Sequence, residues 1–158
     1  MLIKILLSGD GGQGIQLMSD LICRSAIEQG FFVSHIPNYG LEQRGGVSLA
    51  FIQISDSEIA YPKFSKPDLL LVMSPQAEER TKQYQNADFK LQISEYKEIL
   101  EKNKVPVQSY NIFFLGLIAK MLEEKGVLKR DTVFGMLEKK LCAKPGWEEN
   151  KRAFELSL

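Results

Sequence analysis

The segment that most restricts the fold of this chain is LLSGDGGQGIQLMSDLI, close to the N-terminus. An apolar run, Leu2 to Leu7, leads into it, and four of the six residues from Gly9 to Gly14 are glycine. From Ile15 onward, apolar residues recur at intervals of three and four, which predicts an amphipathic helix that ends near Gly30. A buried strand, a glycine turn and a helix in this order are typical of the first unit of an α/β protein.

The alternation of strand and helix patterns continues along the chain. Strands are predicted at FFVSHIP, ended by Pro37, and at VSLAFIQIS, LLLVM, the start of DFKLQIS, and VPVQSY. Helices are predicted after Ser74-Pro75, after DFKLQIS, and at NIFFLGLIAKMLEEKG, RDTVFGMLEKKL and WEENKRAFEL. This order predicts a single domain over residues 1–158, a three-layer α/β sandwich with a largely parallel, Rossmann-like sheet.

Composition excludes several classes of partner. Hydrophobic residues make up 44% of the 158 residues, and 20 basic residues balance 20 acidic ones. A chain without net charge has no overall field to attract nucleic acid or an anionic membrane. There is no apolar run of the length of a membrane span and no secretory pattern at the N-terminus, so we expect a cytoplasmic protein.

The glycine loop predicts an anion site, but the spacing alone leaves its ligand open. Gly9, Gly11 and Gly14 give the pattern G-x-G-x-x-G, which lets a backbone approach a phosphate at a helix start. A Walker loop is excluded because Ile15 and Gln16 stand where Lys and Ser or Thr are needed. NAD is disfavoured because FFVSHIPN lacks an acidic residue, whereas NADP, a flavin, or a tight turn without ligand in a purely structural α/β protein remain alternatives.

A second loop, NYGLEQRGGV, follows the second predicted strand. Arg44 is followed there by Gly45 and Gly46, which places a forked cation next to backbone that can approach a ligand or a partner chain. If the first two strands are parallel, both loops lie at the same edge of the sheet, where ligands of open α/β sheets bind. An arginine in that position suits a phosphate or a carboxylate, or else is simply solvated.

Together these motifs resemble the gamma subunits of the 2-oxoacid:ferredoxin oxidoreductases, in which G-x-G-G-Q-G follows the first strand and an R-[RG]-G-like turn comes later. The matching residues here are Gly9-Asp10-Gly11-Gly12-Gln13-Gly14 and Arg44-Gly45-Gly46. Weaker similarities are Asp68 to Val72 leading to Ser74-Pro75-Gln76-Ala77, Asn111 to Gly116, and Asn150 with Phe154 in the last helix. The similarity extends over nearly the whole chain.

The resemblance implies a function. Members of the family oxidatively decarboxylate a 2-oxoacid such as pyruvate or 2-oxoglutarate to an acyl-coenzyme A and pass electrons to ferredoxin. It implies that this chain caps the active site and contacts coenzyme A, without catalytic residues of its own. The coenzyme A-binding residues it implies are Gly9, Asp10, Gly11, Gly12, Gln13, Gly14, Arg44, Gly45 and Gly46.

The resemblance also assigns the other cofactors to partner chains. Thiamine diphosphate, magnesium and 4Fe-4S clusters are expected on the alpha, beta and, where there is one, delta subunits. The residues agree, because the two cysteines, Cys23 and Cys142, are far apart and outside any C-x-x-C pair. The one histidine, His35, has no metal-binding or catalytic pattern around it. We therefore expect the isolated chain to bind no metal and to be inactive.

Overall fold

The computed structural model describes residues 1–38 and 46–157, which contain five strands and six α-helices. The strands are β1 (Leu2–Asp10), β2 (Phe32–Asn38), β3 (Val47–Ser55), β4 (Leu69–Val72) and β5 (Phe89–Gln92). The helices are α1 (Ile15–Glu28), α2 (Pro75–Arg80), α3 (Lys97–Lys102), α4 (Tyr110–Glu124), α5 (Arg130–Leu141) and α6 (Trp147–Leu156).

The strands form one sheet in the order β2-β3-β1-β4-β5. β1, β4 and β5 run parallel, whereas β3 is antiparallel to both β1 and β2. Because β1 and β2 are each antiparallel to β3, they point the same way, so β3 alone is reversed. The predicted α/β class with a mostly parallel sheet is confirmed. The reversed strand, β3, lies between β1 and β2.

Helices cover the two faces of the sheet unequally, and both faces carry apolar side chains. One face carries Ile5, Leu7 and Ile52, which pack with residues of α1, α4, α5 and α6 into the main core. The opposite face carries Leu6 and Leu70, which form a smaller cluster with α2. Burial on both faces explains why β1 and β4 read as continuous apolar runs rather than alternating ones.

Two helices, α1 and α2, begin at the residues from which the sequence predicts them to start. Gly14 precedes α1 in the left-handed conformation, with φ of 78°, and Gly30 follows that helix with φ of 89°. Ser74 caps α2 by accepting a hydrogen bond from the Ala77 N–H at 3.0 Å, with Pro75 in the first turn. No helix in the described chain has both the length and the apolar character to span a bilayer.

The predicted strand at VPVQSY is wrong. Residues Val107–Ser109 form a short 3-10 turn that leads directly into α4, and β5 is the edge of the sheet. Pro106 has no N–H to donate to a neighbouring strand, and the Val107 side chain is 72% exposed, so neither residue fits a buried strand. A smaller difference occurs in β2, which continues through Pro37 to Asn38; an edge strand tolerates proline.

Candidate functional site

The glycine loop lies at the point where the chain turns to opposite faces of the sheet. α1 follows β1 and covers one face, whereas α2 follows β4 and covers the other. Between the carboxyl ends of β1 and β4 is a cavity of about 680 Å³, which we call the glycine-loop cavity. Crevices of this kind, outside the carboxyl ends of the strands, are where open α/β sheets bind ligands.

The two loops singled out in the sequence meet at this edge. The Gly11 N–H donates a hydrogen bond of 2.9 Å to the carbonyl oxygen of Gly46, which lies at the entry to β3. Asp10 and Val47 are the last paired residues of β1 and β3 at the same end. Arg44 and Gly45, also predicted to bind the ligand, lie outside the described residues.

The loop backbone presents hydrogen-bond donors at the start of α1. Gly12 and Gly14 have φ angles of 91° and 78°, a conformation that favours glycine, and no side chain caps the helix. Within residues 1–38 and 46–157, the N–H groups of Gly12, Gly14 and Ile15 donate to no protein acceptor. Free N–H groups at a helix start attract anions, and the helix dipole adds to that attraction.

Three candidate residues of the loop contact the protein itself. The Gln13 side chain accepts a hydrogen bond from the Asp10 N–H at 2.6 Å and donates to the Met73 carbonyl at 3.0 Å. Ser74 Oγ donates to Asp10 Oδ1 at 2.7 Å, which ties the loop to the start of α2. Gly9 is buried, and a Cβ there would lie 2.9 Å from Ile15 Cδ1, so glycine at this position allows β1 and α1 to pack closely. Ligand contact by these residues stays a prediction.

The opposite wall of the glycine-loop cavity comes from residues that the sequence analysis did not assign to the site. Lys97 and Glu101 of α3 and Asn111 of α4 line it. Asn111 packs directly on Gly14, because a Cβ on that glycine would lie 3.0 Å from Asn111 Cγ and still closer to Nδ2. The sequence marked Asn111 only as the start of a helix, and no local pattern linked it to a loop about a hundred residues earlier.

The charge of this cavity is mixed. Its described lining carries one cation, Lys97, and two carboxylates, Asp10 and Glu101. Asp10 accepts the hydroxyl hydrogen bond of Ser74, while no ion pair within the described chain engages Lys97. An anionic ligand would therefore rely on the backbone N–H groups, on Lys97 and on a further cation.

The order of the strands bears on the dinucleotide alternative. In the usual dinucleotide-binding sheet, the second strand lies beside β1 and its end holds the ribose. Here β3 separates the two, and neighbouring strands are about 4.8 Å apart, so the end of β2 is roughly 10 Å from β1. At this distance, the end of β2 cannot make its usual contact with the ribose of NADP.

The sulfur and imidazole groups lie away from the cavity. Burial, together with the charge of Asp20, raises the pKa of the Cys23 thiol to about 12. Burial lowers the pKa of His35, whose Nε2 has no hydrogen-bond partner in the described chain. Cys142 is exposed. Among the described residues, no three His, Cys, Asp or Glu side chains are grouped to hold a metal ion.

Comparison with known proteins identifies the family. Residues 4–89 match the pyruvate ferredoxin/flavodoxin oxidoreductase family. The chain belongs to this family. A 75-residue segment is 43% identical to the 2-oxoglutarate synthase subunit KorC of Methanothermobacter marburgensis, and it covers 47% of this chain and 40% of that relative. The matched segment thus spans less than half the length of that curated relative.

Solved structures confirm the fold over almost the whole chain. The gamma subunit of a keto/oxoacid ferredoxin oxidoreductase from Geobacter sulfurreducens superposes with a TM-score of 0.73 over 98% of this chain and 95% of that one, at 22% identity. The 2-oxoglutarate:ferredoxin oxidoreductase of Magnetococcus marinus, determined with 2-oxoglutarate, coenzyme A and succinyl-CoA bound, gives a TM-score of 0.75 at 17% identity. The likeness covers 99% of this chain but 31% of that one. The predicted resemblance to the gamma-subunit family is confirmed.

Proposed function

We propose that this chain is the gamma subunit of a 2-oxoacid:ferredoxin oxidoreductase, and that its glycine-loop cavity contacts coenzyme A above an active site on partner subunits. The observation that carries the proposal is the group of free N–H donors at Gly12, Gly14 and Ile15, next to a cavity in a chain of this family. Coenzyme A carries a pyrophosphate and a 3′-phosphate, the type of group that such donors bind.

The mixed charge of the cavity gives Arg44 a role in this proposal. Asp10 and Glu101 offset Lys97, so the described lining supplies no net positive charge for a phosphate. Arg44 precedes Gly46 by two residues, and the Gly46 carbonyl is bonded to the glycine loop. We assign Arg44 as the further cation, since a guanidinium can form two parallel hydrogen bonds to a phosphate.

The redox chemistry belongs to partner chains in this proposal. A 4Fe-4S cluster takes four cysteine thiolates, whereas this chain has two cysteines, and burial keeps Cys23 protonated. Magnesium, which anchors thiamine diphosphate, takes carboxylate and carbonyl oxygens, and the described residues hold no group of acidic ligands. The residues therefore do not fit either group, and we place both on alpha, beta and, where present, delta subunits that deliver electrons to ferredoxin.

The substrate that we propose is 2-oxoglutarate. The 43% identical segment is shared with a protein named as a 2-oxoglutarate synthase subunit. Pyruvate and ketoisovalerate are the alternatives, because a similar segment occurs in the ketoisovalerate oxidoreductase subunit VorA at 33% identity.

Purification from the native organism tests the assignment. The tagged chain, isolated without oxygen, should bring down larger iron-containing subunits, and the complex should reduce viologen when given 2-oxoglutarate and coenzyme A. The purified chain alone should show neither viologen reduction nor cluster absorbance, and in calorimetry it should bind coenzyme A more tightly than NADP⁺. Isolation without partners, together with tighter binding of NADP⁺ or a flavin, would favour a stand-alone nucleotide-binding module instead.

A further inference from the structure

A second cavity of about 680 Å³ adjoins the glycine-loop cavity. It lies between the start of α4 and the start of α6, and we call it the α6 cavity. The two cavities share Gln108 and Asn111 in their linings, so these two residues mark the boundary between them. A ligand seated at the glycine loop would enter the α6 cavity if it extended past these residues.

Asn111 stands at the junction with unused hydrogen-bonding capacity. The residue is 7% exposed, and its side chain makes no hydrogen bond within the described chain. Its Oδ1 is buried without a partner. A buried carbonyl oxygen is costly to leave without a donor, so this atom is poised to accept an N–H from a ligand.

The lining of the α6 cavity disfavours a phosphate and favours an uncharged group. Glu149 is its only charged residue among those described. Apolar surface comes from Leu17, Ile112, Leu141 and Pro145. A carboxylate repels phosphate but accepts hydrogen bonds from N–H groups, and the apolar wall suits a neutral moiety.

We propose that the α6 cavity binds the uncharged, N–H-bearing part of the ligand whose phosphate lies at the glycine loop, and that Asn111 Oδ1 accepts a hydrogen bond from that part. This inference rests on the proposed function. Coenzyme A has two parts of this chemistry, the amides of its pantetheine arm and the amino group of its adenine. Each can be supplied separately with a phosphate attached, as 4′-phosphopantetheine or as adenosine 3′,5′-bisphosphate.

Calorimetry on the full chain with coenzyme A and these two fragments tests the proposal. Asn111→Leu removes the acceptor and keeps the branching of the side chain at Cγ, and Glu149→Ala removes the carboxylate from an exposed position. Each substitution should weaken coenzyme A and one of the two fragments about tenfold, while leaving the other fragment unchanged. The affected fragment identifies the part of the ligand that the α6 cavity binds.

Two controls separate binding from folding. Asn103→Leu changes an exposed asparagine of the α3 terminus that lines neither cavity and should leave all three affinities unchanged. Asn111→Leu should not lower the melting temperature, because the Asn111 side chain makes no hydrogen bond within the described chain that the substitution could remove. A structural asparagine would instead lose stability without a selective loss of one fragment.

The remaining outcomes overturn the inference. If Asn111→Leu weakens binding but Glu149→Ala does not, or if both fragments weaken alike, the ligand does not extend into the α6 cavity. Unchanged affinities in both variants, or tighter binding to Glu149→Ala, would contradict it as well. If coenzyme A and both fragments fail to bind the unaltered chain, the proposed contact with coenzyme A fails too, so the two failures are distinguishable.

Discussion

Gly116 in α4 is in direct contact with Ser157, the residue that follows α6. A Cβ on Gly116 would overlap Ser157 Oγ and lie 2.7 Å from the carbonyl oxygen of Phe154. Gly116→Ala must therefore push α4 and α6 apart, and we expect the free energy of unfolding to fall by about 1–3 kcal/mol. Urea unfolding followed by circular dichroism measures this loss.

A second helical glycine is the matched control. Gly135 lies inside α5, and a Cβ there would meet no atom within 4 Å. Gly135→Ala should raise the free energy of unfolding by about 0.5–1 kcal/mol, because alanine favours the helix. Equal effects of the two substitutions would show that the α4–α6 contact is looser than described.

Gly11 allows a test of charge in the glycine loop without backbone strain. Its φ is not in the left-handed region, and a Cβ would lie 3.6 Å from the Gly46 carbonyl oxygen, an ordinary contact. Gly11→Asp should weaken coenzyme A about tenfold or more in calorimetry, because its carboxylate repels phosphate. Gly11→Asn has nearly the same shape without the charge and should bind almost normally; equal losses in both variants would point to shape rather than phosphate recognition.

Arg44 is expected to supply a second cation in addition to Lys97. Arg44→Ala should weaken coenzyme A about tenfold, and Arg44→Lys should recover part of that loss because lysine keeps the charge but not the fork. Arg24→Ala is the control, since Arg24 is an exposed arginine paired with Asp20 in α1. If all three variants bound coenzyme A with the same affinity, Arg44 would be a solvated surface residue without a role in binding.

The two cysteines should differ sharply in reactivity. Burial raises the pKa of the Cys23 thiol to about 12, so almost none of it is thiolate at neutral pH, whereas Cys142 is exposed. An aromatic disulfide reagent should modify one thiol rapidly in the folded chain and the second only after unfolding. Cys142→Ser should abolish the rapid reaction; rapid modification of that variant would contradict the packing around α1.

His35 should make stability depend on pH. Burial lowers its pKa in the folded chain, and Asp20 offsets part of that effect. The unfolded chain then binds more protons, so the His35 contribution destabilises the fold as the pH falls through the ordinary histidine range, about 7.5 to 5.5.

Comparison with His35→Gln isolates this contribution. The variant should lose less stability than the unaltered chain over the same pH range, as measured by urea midpoints. NMR titration of the one histidine should give a pKa below its usual value. A raised pKa would show that Asp20 dominates over burial.

Local patterns predicted most of the strands and helices because each depends on nearby residues. The strand predicted at Val47–Ser55 and the start of α2 predicted at Ser74 with Pro75 are confirmed. The alternation of apolar and polar residues predicts a half-buried strand, whereas β3 is buried along nearly its whole length because it lies between β1 and β2. The strand predicted around Val107 was wrong because a short apolar run does not show whether the sheet has a further strand at its edge. The reversed direction of β3 likewise depends on pairing with β1, which no local pattern states.

Some residues of the candidate site could be predicted from local sequence patterns, and others could not. The glycine spacing located the start of α1, and the position of Arg44-Gly45-Gly46 after the second strand predicted that two loops share an edge. The hydrogen bond from Gly11 to Gly46 confirms that the two segments meet. Asn111 could not be assigned to the site from sequence, because its contact with Gly14 joins residues that only the packing of α4 against α1 brings together.

The reversal of β3 has a consequence for how relatives of this chain can diverge. β3 pairs with β1 from Leu2–Ser55 to Asp10–Val47 and with β2 along its other side, so both strands beside the 39–45 segment are held by the sheet. That segment connects the two strands. Its length and sequence can therefore be exchanged between relatives while the two strands keep their register.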